Sequence, residues 1–271
     1  MEKKTKIIDV NADNVSEVGF FCYMSKRKTE GFRRKLEWVK KRFAEGMRIK
    51  MLQLPLRGFI EYIPGEYAWR SVNAKGYMFI HCLWVVGQSR GKGLATLLLN
   101  ECIKDAKKSG MHGVAMVTSE KDWLVKKKFL SKQGFESVDK APPTFELMVK
   151  KFDDDASSLS FTGDWKRKIS RYRKGLTIFR SDQCPYIENY VKGAKEKAKE
   201  LGIKCQVVEL NNCLDVRNLA PSAFGVFSIV YDGNLLAYHG LAKEELLERL
   251  DGLTPSLKKA KKESKRIIKT R

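Results

Sequence analysis

The stretch from Tyr77 to Gly110 constrains this chain most. A near-continuous apolar run, Tyr77 to Val86, has the character of a central strand buried on both faces. It stops at Gly87, and a short Gln88-Ser89-Arg90-Gly91-Lys92-Gly93 loop follows. A long amphipathic helical pattern then begins, with Ala95, Leu98, Leu99, Cys102 and Ala106 on its apolar side and Gly110 as its stop. A helix N-terminus carries unpaired backbone N–H groups and about half a unit of positive charge. Where the preceding loop lacks side chains, those groups can close on a phosphate. Gly91 and Gly93 give that access, and Arg90 and Lys92 add charge at the rim. A tight structural turn is the other reading of the same glycines. The loop is not a Walker loop, which needs GxxxxGK followed by Ser or Thr. Nor is it a GxGxxG dinucleotide fingerprint, because Thr96 holds the sixth position.

The flanking sequence alternates strands and helices. Lys6 to Val10 reads as a short strand. Phe32, Leu36, Val39 and Phe43 mark one face of a helix that Gly46 ends. Arg48 to Leu54 and Gly58 to Ile63 read as strands separated near Pro55. Gly113 to Thr118 is a buried strand, Trp123 to Leu130 a helix and Phe145 to Val149 a closing strand. The acidic, then small and polar segment Lys151 to Ser160 reads as a linker, followed by a basic stretch. A second unit comes next: strand Gly175 to Phe179, helix Pro185 to Leu201 and strand Ile203 to Leu210. Strands Phe224 to Tyr231 and Leu235 to His239 flank an Asp232-Gly233 hairpin turn, and helix Ala242 to Leu250 ends the unit. The expected division is 1–152, a linker over 153–174, a second domain over 175–255 and a basic tail over 256–271.

Composition sets bounds on function. The 271 residues suffice for two domains. No apolar run approaches the roughly 18–20 residues of a membrane span, and the N-terminus lacks the apolar core of a signal peptide. The six cysteines are scattered, with no CxxC pair, which predicts neither a disulfide framework nor a zinc site and suits a reducing cytoplasm. The net charge of +21 favours anionic partners, nucleic acid included. Part of it lies in the tail Lys258 to Arg271, read either as a solvated helix face or as an arm for an anionic partner.

Gln88 to Ala95 matches the Q/R-x-x-G-x-G/A motif of the GNAT acetyltransferases, and Phe129 to Phe135, FLSKQGF, is similar to that family's FYxxxGF segment. With the element order, the resemblance covers about residues 5–151. EYIPGEYAW and the appended second unit resemble the YoaP-type subgroup, in which a thioredoxin-like domain follows. The resemblance implies an α/β (α+β) GNAT fold with a splayed mixed sheet and then a small thioredoxin-like domain. It implies an acetyl-CoA-dependent N-acetyltransferase acting on a small-molecule or peptide amine. Arg90, Gly91, Lys92, Gly93, Leu94 and Ala95 would hold the acetyl-CoA pyrophosphate, and Trp84, Val85 and Val86 the pantetheine, with a backbone N–H polarising the thioester oxygen. Ser119 would border the other side of the cleft. Glu61 and His81 are the candidates for the base that deprotonates the amine.

The position of the family's FYxxxGF tyrosine, an acid toward the departing sulfur, is Leu130 here, with Tyr77 as a conceivable substitute. Tyr62, Tyr67, Trp69, Tyr77 and Trp84 either line an acceptor pocket or pack strands together. Cys184 stands between a strand and a helix, where a helix dipole lowers a thiol pKa. It is the candidate reactive thiol, although Ile187 replaces the second cysteine of CxxC and Gly225 the thioredoxin cis-proline. The alternative function is a basic nucleic-acid-binding or CoA-sensing module with little turnover.

Overall fold

The computed structural model describes residues 5–120, 123–153 and 156–253; the basic tail lies outside them. In chain order the elements begin with β1 (Ile7–Val10), α1 (Val15–Val18), α2 (Glu30–Phe43), β2 (Arg48–Leu52), β3 (Gly58–Pro64), β4 (Val72–Asn73) and β5 (Met78–Val85). They continue with α3 (Leu94–Lys108), β6 (Gly113–Ser119), α4 (Lys127–Lys132), β7 (Glu136–Ala141), β8 (Phe145–Lys151), β9 (Ser160–Phe161) and α5 (Trp165–Ser170). The last group is β10 (Leu176–Arg180), α6 (Ile187–Glu200), β11 (Cys205–Glu209), α7 (Cys213–Leu219), β12 (Phe227–Tyr231), β13 (Asn234–Ala237) and α8 (Lys243–Leu253).

Among the described residues, seven strands form one mixed sheet in the order β1-β2-β3-β5-β6-β8-β7. Its one parallel pair is β5 with β6, and that pairing is short. It runs from Met78 opposite Val114 to Ile80 opposite Met116. Beyond Ile80 the strands diverge, β5 continuing to Val85 and β6 to Ser119, which opens the sheet in the splay expected of it. The helix α3 buries Leu94, Leu98, Leu99, Cys102 and Ala106 beneath β3, β5 and β6, packed with Ile60, Tyr62, Ile80 and Met116. Ala95 departs from the expected apolar stripe: it is only partly buried, at the mouth of the splay.

A second sheet runs β11-β10-β12-β13, with β10 parallel to β11 and antiparallel to β12. The β12–β13 hairpin pairs Tyr231 with Asn234 around Asp232 and Gly233, both at positive φ, as a two-residue turn requires. The two sheets are not separately packed. One hydrophobic cluster joins Phe20, Trp38, Ile49 and Trp69 to Phe179, Leu210, Val216 and Val230; another joins Phe79, Val117 and Phe145 to Ala223 and Tyr238.

The segment read as a linker is structured in part. Leu159 and Phe161 are buried, β9 pairs with β4, and α5 follows. The helix expected over Trp123 to Leu130 starts later, at Lys127, so Trp123 belongs to the connection before it. The strand β7 and the helix α7 have no counterpart in the sequence reading.

Candidate active site

Two cavities flank the free portion of β5. The first, about 610 Å³, lies in the splay and is lined by Leu83, Trp84, Val85, the Ser89 to Gly91 loop, the first turn of α3, and the connection Leu124 to Lys126 with Phe129. Its chemistry follows from the backbone. Gly93 caps α3 at φ 72°, in the left-handed region, and offers no side-chain oxygen. The first intrahelical bond is from the Leu97 N–H to the Gly93 carbonyl, so the preceding N–H groups point to the loop mouth without an intrahelical acceptor. A side chain at Gly91, at φ 75°, or at Gly93 would meet no protein atom within 4 Å. These glycines serve positive φ and open approach, not internal packing. Ser89 is buried, and its Oγ accepts the Arg57 N–H at 2.9 Å, which ties the loop to the β2–β3 connection. Having left β6, the Leu83 to Val85 backbone has one edge unpaired within the cleft. An extended amide-bearing chain ending in a pyrophosphate fits both features: strand-edge pairing for the amides, helix N–H groups for the phosphates.

Of the predicted cofactor residues, Trp84, Val85, Arg90, Gly91, Gly93, Leu94 and Ala95 line this cleft. Val86, Lys92 and Ser119 do not. Val86 donates its N–H to the Arg57 carbonyl, Lys92 is exposed on the loop, and the Ser119 Oγ is 2.7 Å from Thr144 Oγ1. Sequence reading missed the far wall, Leu124 to Lys126, which Thr118 Oγ1 anchors by donating to the Val125 carbonyl.

The second cavity, about 250 Å³, lies between the first sheet and the second unit, and Leu124 lines both cavities. Its polar wall is a buried chain of groups from both halves of the molecule. Opposite β3 the strand β5 bulges: Glu61 faces Cys82, Tyr62 faces Ile80, and His81 is the extra residue. The bulge brings His81 and Cys82 to this cavity, whereas Leu83 and Trp84 line the other. Glu61 receives a hydrogen bond from Lys35 of α2 through Oε2, and the pair is almost fully buried. Its Oε1 is 3.5 Å from His81 Nδ1 and 3.5 Å from Gln183 Nε2. Burial alone would raise the Glu61 carboxyl, but Lys35 and His81 hold it down to about 2.

His81 Nε2 accepts the Trp69 backbone N–H at 3.0 Å. A backbone N–H can only donate, so the ring proton sits on Nδ1, toward Glu61. Burial, with Arg70 and Lys35 adding repulsion, pushes the imidazole down to about 4. Arg70 donates to the Trp69 and His81 carbonyls, each at 2.7 Å, and to Gln183. Glu61 and His81, the two candidates for the base, are therefore neighbours, but the imidazole has no free lone pair with which to take a proton. Lys35, Arg70 and Gln183 complete the cluster.

Other expectations change. Leu130 is fully buried under the first sheet and does not reach the cleft; Phe129 does. Tyr77 cannot replace the missing tyrosine, since its hydroxyl donates to the Ser157 carbonyl at 2.7 Å, away from the cleft. Trp69, Tyr62 and Tyr77 pack in the core; Trp69 lies edge-on to Trp38 at 5.1 Å, and none of the three lines either of the two cavities beside β5. Cys184 lines the second cavity with Cys22 and Cys82. Burial pushes all three thiols up, Cys82 to about 12. The helix α6 starts at Ile187, three residues past Cys184, and burial outweighs the hydrogen bond from the Tyr186 backbone.

Residues 20–135 match the family model for the acetyltransferase (GNAT) family. The chain is also 32% identical over 234 residues to an uncharacterized N-acetyltransferase, YoaP, of Bacillus subtilis (strain 168), across 85% of this chain and 92% of that one. The chain belongs to the GNAT acetyltransferase family. It is an acetyltransferase. Among solved structures, the PaiA N-acetyltransferase of Thermoplasma acidophilum in complex with coenzyme A is similar at 18% identity and a TM-score of 0.40, covering 55% of this chain and 100% of that one. The YncA structure from Salmonella typhimurium with acetyl-CoA is similar at 16% identity and a TM-score of 0.41, covering 57% and 98%. In this GNAT chain, no described helix is long and apolar enough to cross a membrane.

Proposed function

We propose that this chain is an acetyl-CoA-dependent N-acetyltransferase with acetyl-CoA in the 610 Å³ cleft and an amine in the 250 Å³ cavity beyond Leu124. Acetyl-CoA, when bound, supplies an acetyl thioester activated for attack by an amine. The observation that carries the reading is the release of β5 from β6 beside an uncapped helix N-terminus, which leaves backbone donors where a pantetheine and a pyrophosphate need them. Arg90 adds positive charge at the phosphate end, and Leu83, Trp84 and Phe129 cover the apolar length.

On the acceptor side Glu61 is the sole carboxylate among the described lining residues. Held ionised, it attracts an ammonium and orients the amine, but a carboxylate so weakly basic does not retain the proton, which passes on to water. His81 acts as a positioning residue: it is fixed by the Trp69 N–H and directs its own N–H at Glu61 Oε1. No tyrosine lines the cleft among the described residues, so the sulfur departs as thiolate, tolerable for a thiol with a pKa near ~8.5.

We read the second unit as a thioredoxin-like domain used as scaffold. The order β11-β10-β12-β13, with α6 and α7 in the first two connections and α8 after β13, supports it. The high Cys184 pKa supports a packing role over an activated thiol. Six free cysteines fit a reducing compartment such as the cytoplasm.

The test is thiol release from acetyl-CoA with a panel of primary amines, for the wild type and for Gly91→Glu. Amine-dependent release that the variant abolishes, together with its acetyl-CoA binding, is the expected result. Release that the variant leaves intact would place the donor elsewhere.

A further inference from the structure

The charges around the second cavity do not balance. Three ionised side chains line it: Lys35, Glu61 and Arg70. Lys35 and Glu61 neutralise one another in a buried ion pair. Arg70, only 3% exposed, has no carboxylate within ion-pair distance among the described residues. Its acceptors are the carbonyls of Trp69, His81 and Gln183, all uncharged. Those three bonds use three of the five guanidinium N–H groups. Burial lowers its pKa only to about 10, so it remains a cation at neutral pH. The ring of Phe224, 4.9 Å away, faces the guanidinium but supplies no countercharge. A buried cation with no anion costs several kcal/mol unless something pairs with it.

The remaining wall is apolar and aromatic, from Phe59, Trp123, Leu124, Tyr190, Phe224 and Val226. At about 250 Å³ the cavity is smaller than the roughly 300–1,000 Å³ of drug-sized sites, too small for a folded peptide segment. Gln183 separates the two charged ends, its Oε1 accepting from Arg70 and its Nε2 standing 3.5 Å from Glu61 Oε1. One carboxamide is close to the span between the ammonium and the carboxylate of an amino acid. The Glu61 Oε1 contacts, both at 3.5 Å, are long for hydrogen bonds and leave that oxygen able to accept from an incoming ammonium.

We propose that the acceptor is a small amino acid with an apolar or aromatic side chain, its carboxylate paired with Arg70 and its amine held at Glu61. This rests on the reading of the second cavity as the acceptor site. Transfer forms one N–C bond to the acetyl carbon and breaks the C–S bond of the thioester. The bound ammonium gives up one proton before attack and the adduct a second, both to solvent past Glu61, and CoA leaves as its thiolate.

The experiment compares matched series: phenylalanine, leucine and methionine, each against its carboxamide and its decarboxylated amine, with acetyl-CoA binding measured separately by calorimetry. A lost charge-assisted pair should lower kcat/KM at least about tenfold for the amides and the decarboxylated amines. Arg70→Gln should bring the three members of a series to within a few-fold of each other through KM, with acetyl-CoA affinity unchanged. The wild-type series decides the matter even if that variant fails to fold. Amides or decarboxylated amines acetylated as well as the acids would overturn the amino-acid proposal while leaving acetyl transfer standing. So would acetyl-CoA binding with no acetylation in any series. Failure of acetyl-CoA to bind would refute the acetyl-transfer reading and this inference with it.

Discussion

Replacing Lys35 with Met removes the one cation paired with Glu61, where both side chains are almost fully buried. In the wild type the Glu61 carboxyl sits at about 2 against an ordinary 4.5. A carboxyl with a lowered folded pKa stabilises the fold above the unfolded value and loses that contribution as pH falls from 4.5 toward 2. That difference corresponds to about 3 kcal/mol. Without Lys35 the carboxylate is buried beside fewer partners, and breaking a buried pair from one side costs about 3–5 kcal/mol. The sign of the pH dependence then reverses. Burial raises the unpaired carboxyl above 4.5, so the variant gains stability relative to the wild type as the carboxyl takes up a proton. Urea unfolding from pH 7 to pH 4 should show the gap widest at pH 7 and closing toward pH 4. The double variant Lys35→Met, Glu61→Met should recover most of the loss, because no charge is then stranded. A cost below about 1 kcal/mol, or a gap that does not change with pH, would refute the buried pair.

The cleft, the core and the joint between the two halves can be probed in the same way. With acetyl-CoA at 100 times its Kd, the wild type should gain about 2.7 kcal/mol in thermal unfolding, and Gly91→Glu should gain none. Leu130→Tyr should not raise kcat and should destabilise by about 1–3 kcal/mol, since the position is filled core and not cleft wall; a faster enzyme would contradict the packing. Gly31→Ala should lower stability and raise the acceptor KM more than the acetyl-CoA KM, because its side chain would lie 2.1 Å from the Pro185 carbonyl oxygen, beside the acceptor cavity. The rate of Cys184 modification by a thiol reagent should keep rising above pH 9; a plateau near pH 7 would show an activated thiol.

The donor side was the legible part of the site because it is local in sequence. A strand, a glycine loop and a helix close together in the chain specify it, and Arg90, Gly91, Gly93 and Ala95 line the cleft where the loop motif put them, although periodicity alone had set Ala95 on the buried stripe. The acceptor side was legible only as Glu61 and His81. Lys35 was hidden by its charge: the apolar stripe read from Phe32, Leu36, Val39 and Phe43 is rotated in the structure, where Phe32, Lys35, Trp38, Val39 and Arg42 are the buried face of α2. Two cations on a core face look like solvent exposure until their partners are known. Arg70 and Gln183 meet across 113 positions, beyond any periodic signal. The strand β7 escaped notice because its sequence, ESVDKA, is mostly exposed and has no apolar alternation. The helix α7 is short, marked only by Asn212, whose side chain accepts the Asp215 N–H.

The two cavities draw on different stretches of the chain. Residues from β5, the glycine loop, the first turn of α3 and the connection 124–126 with Phe129 enclose the donor side, while Gln183 to Ile187, Tyr190, Phe224, Val226, His239 and Gly240 form much of the wall of the second cavity. On the proposed reading of the second cavity as the amine site, changes in the second unit retune which amine is accepted while the acetylating machinery is inherited intact. Relatives that share the glycine loop but differ at those wall positions should diverge in diet before they diverge in chemistry.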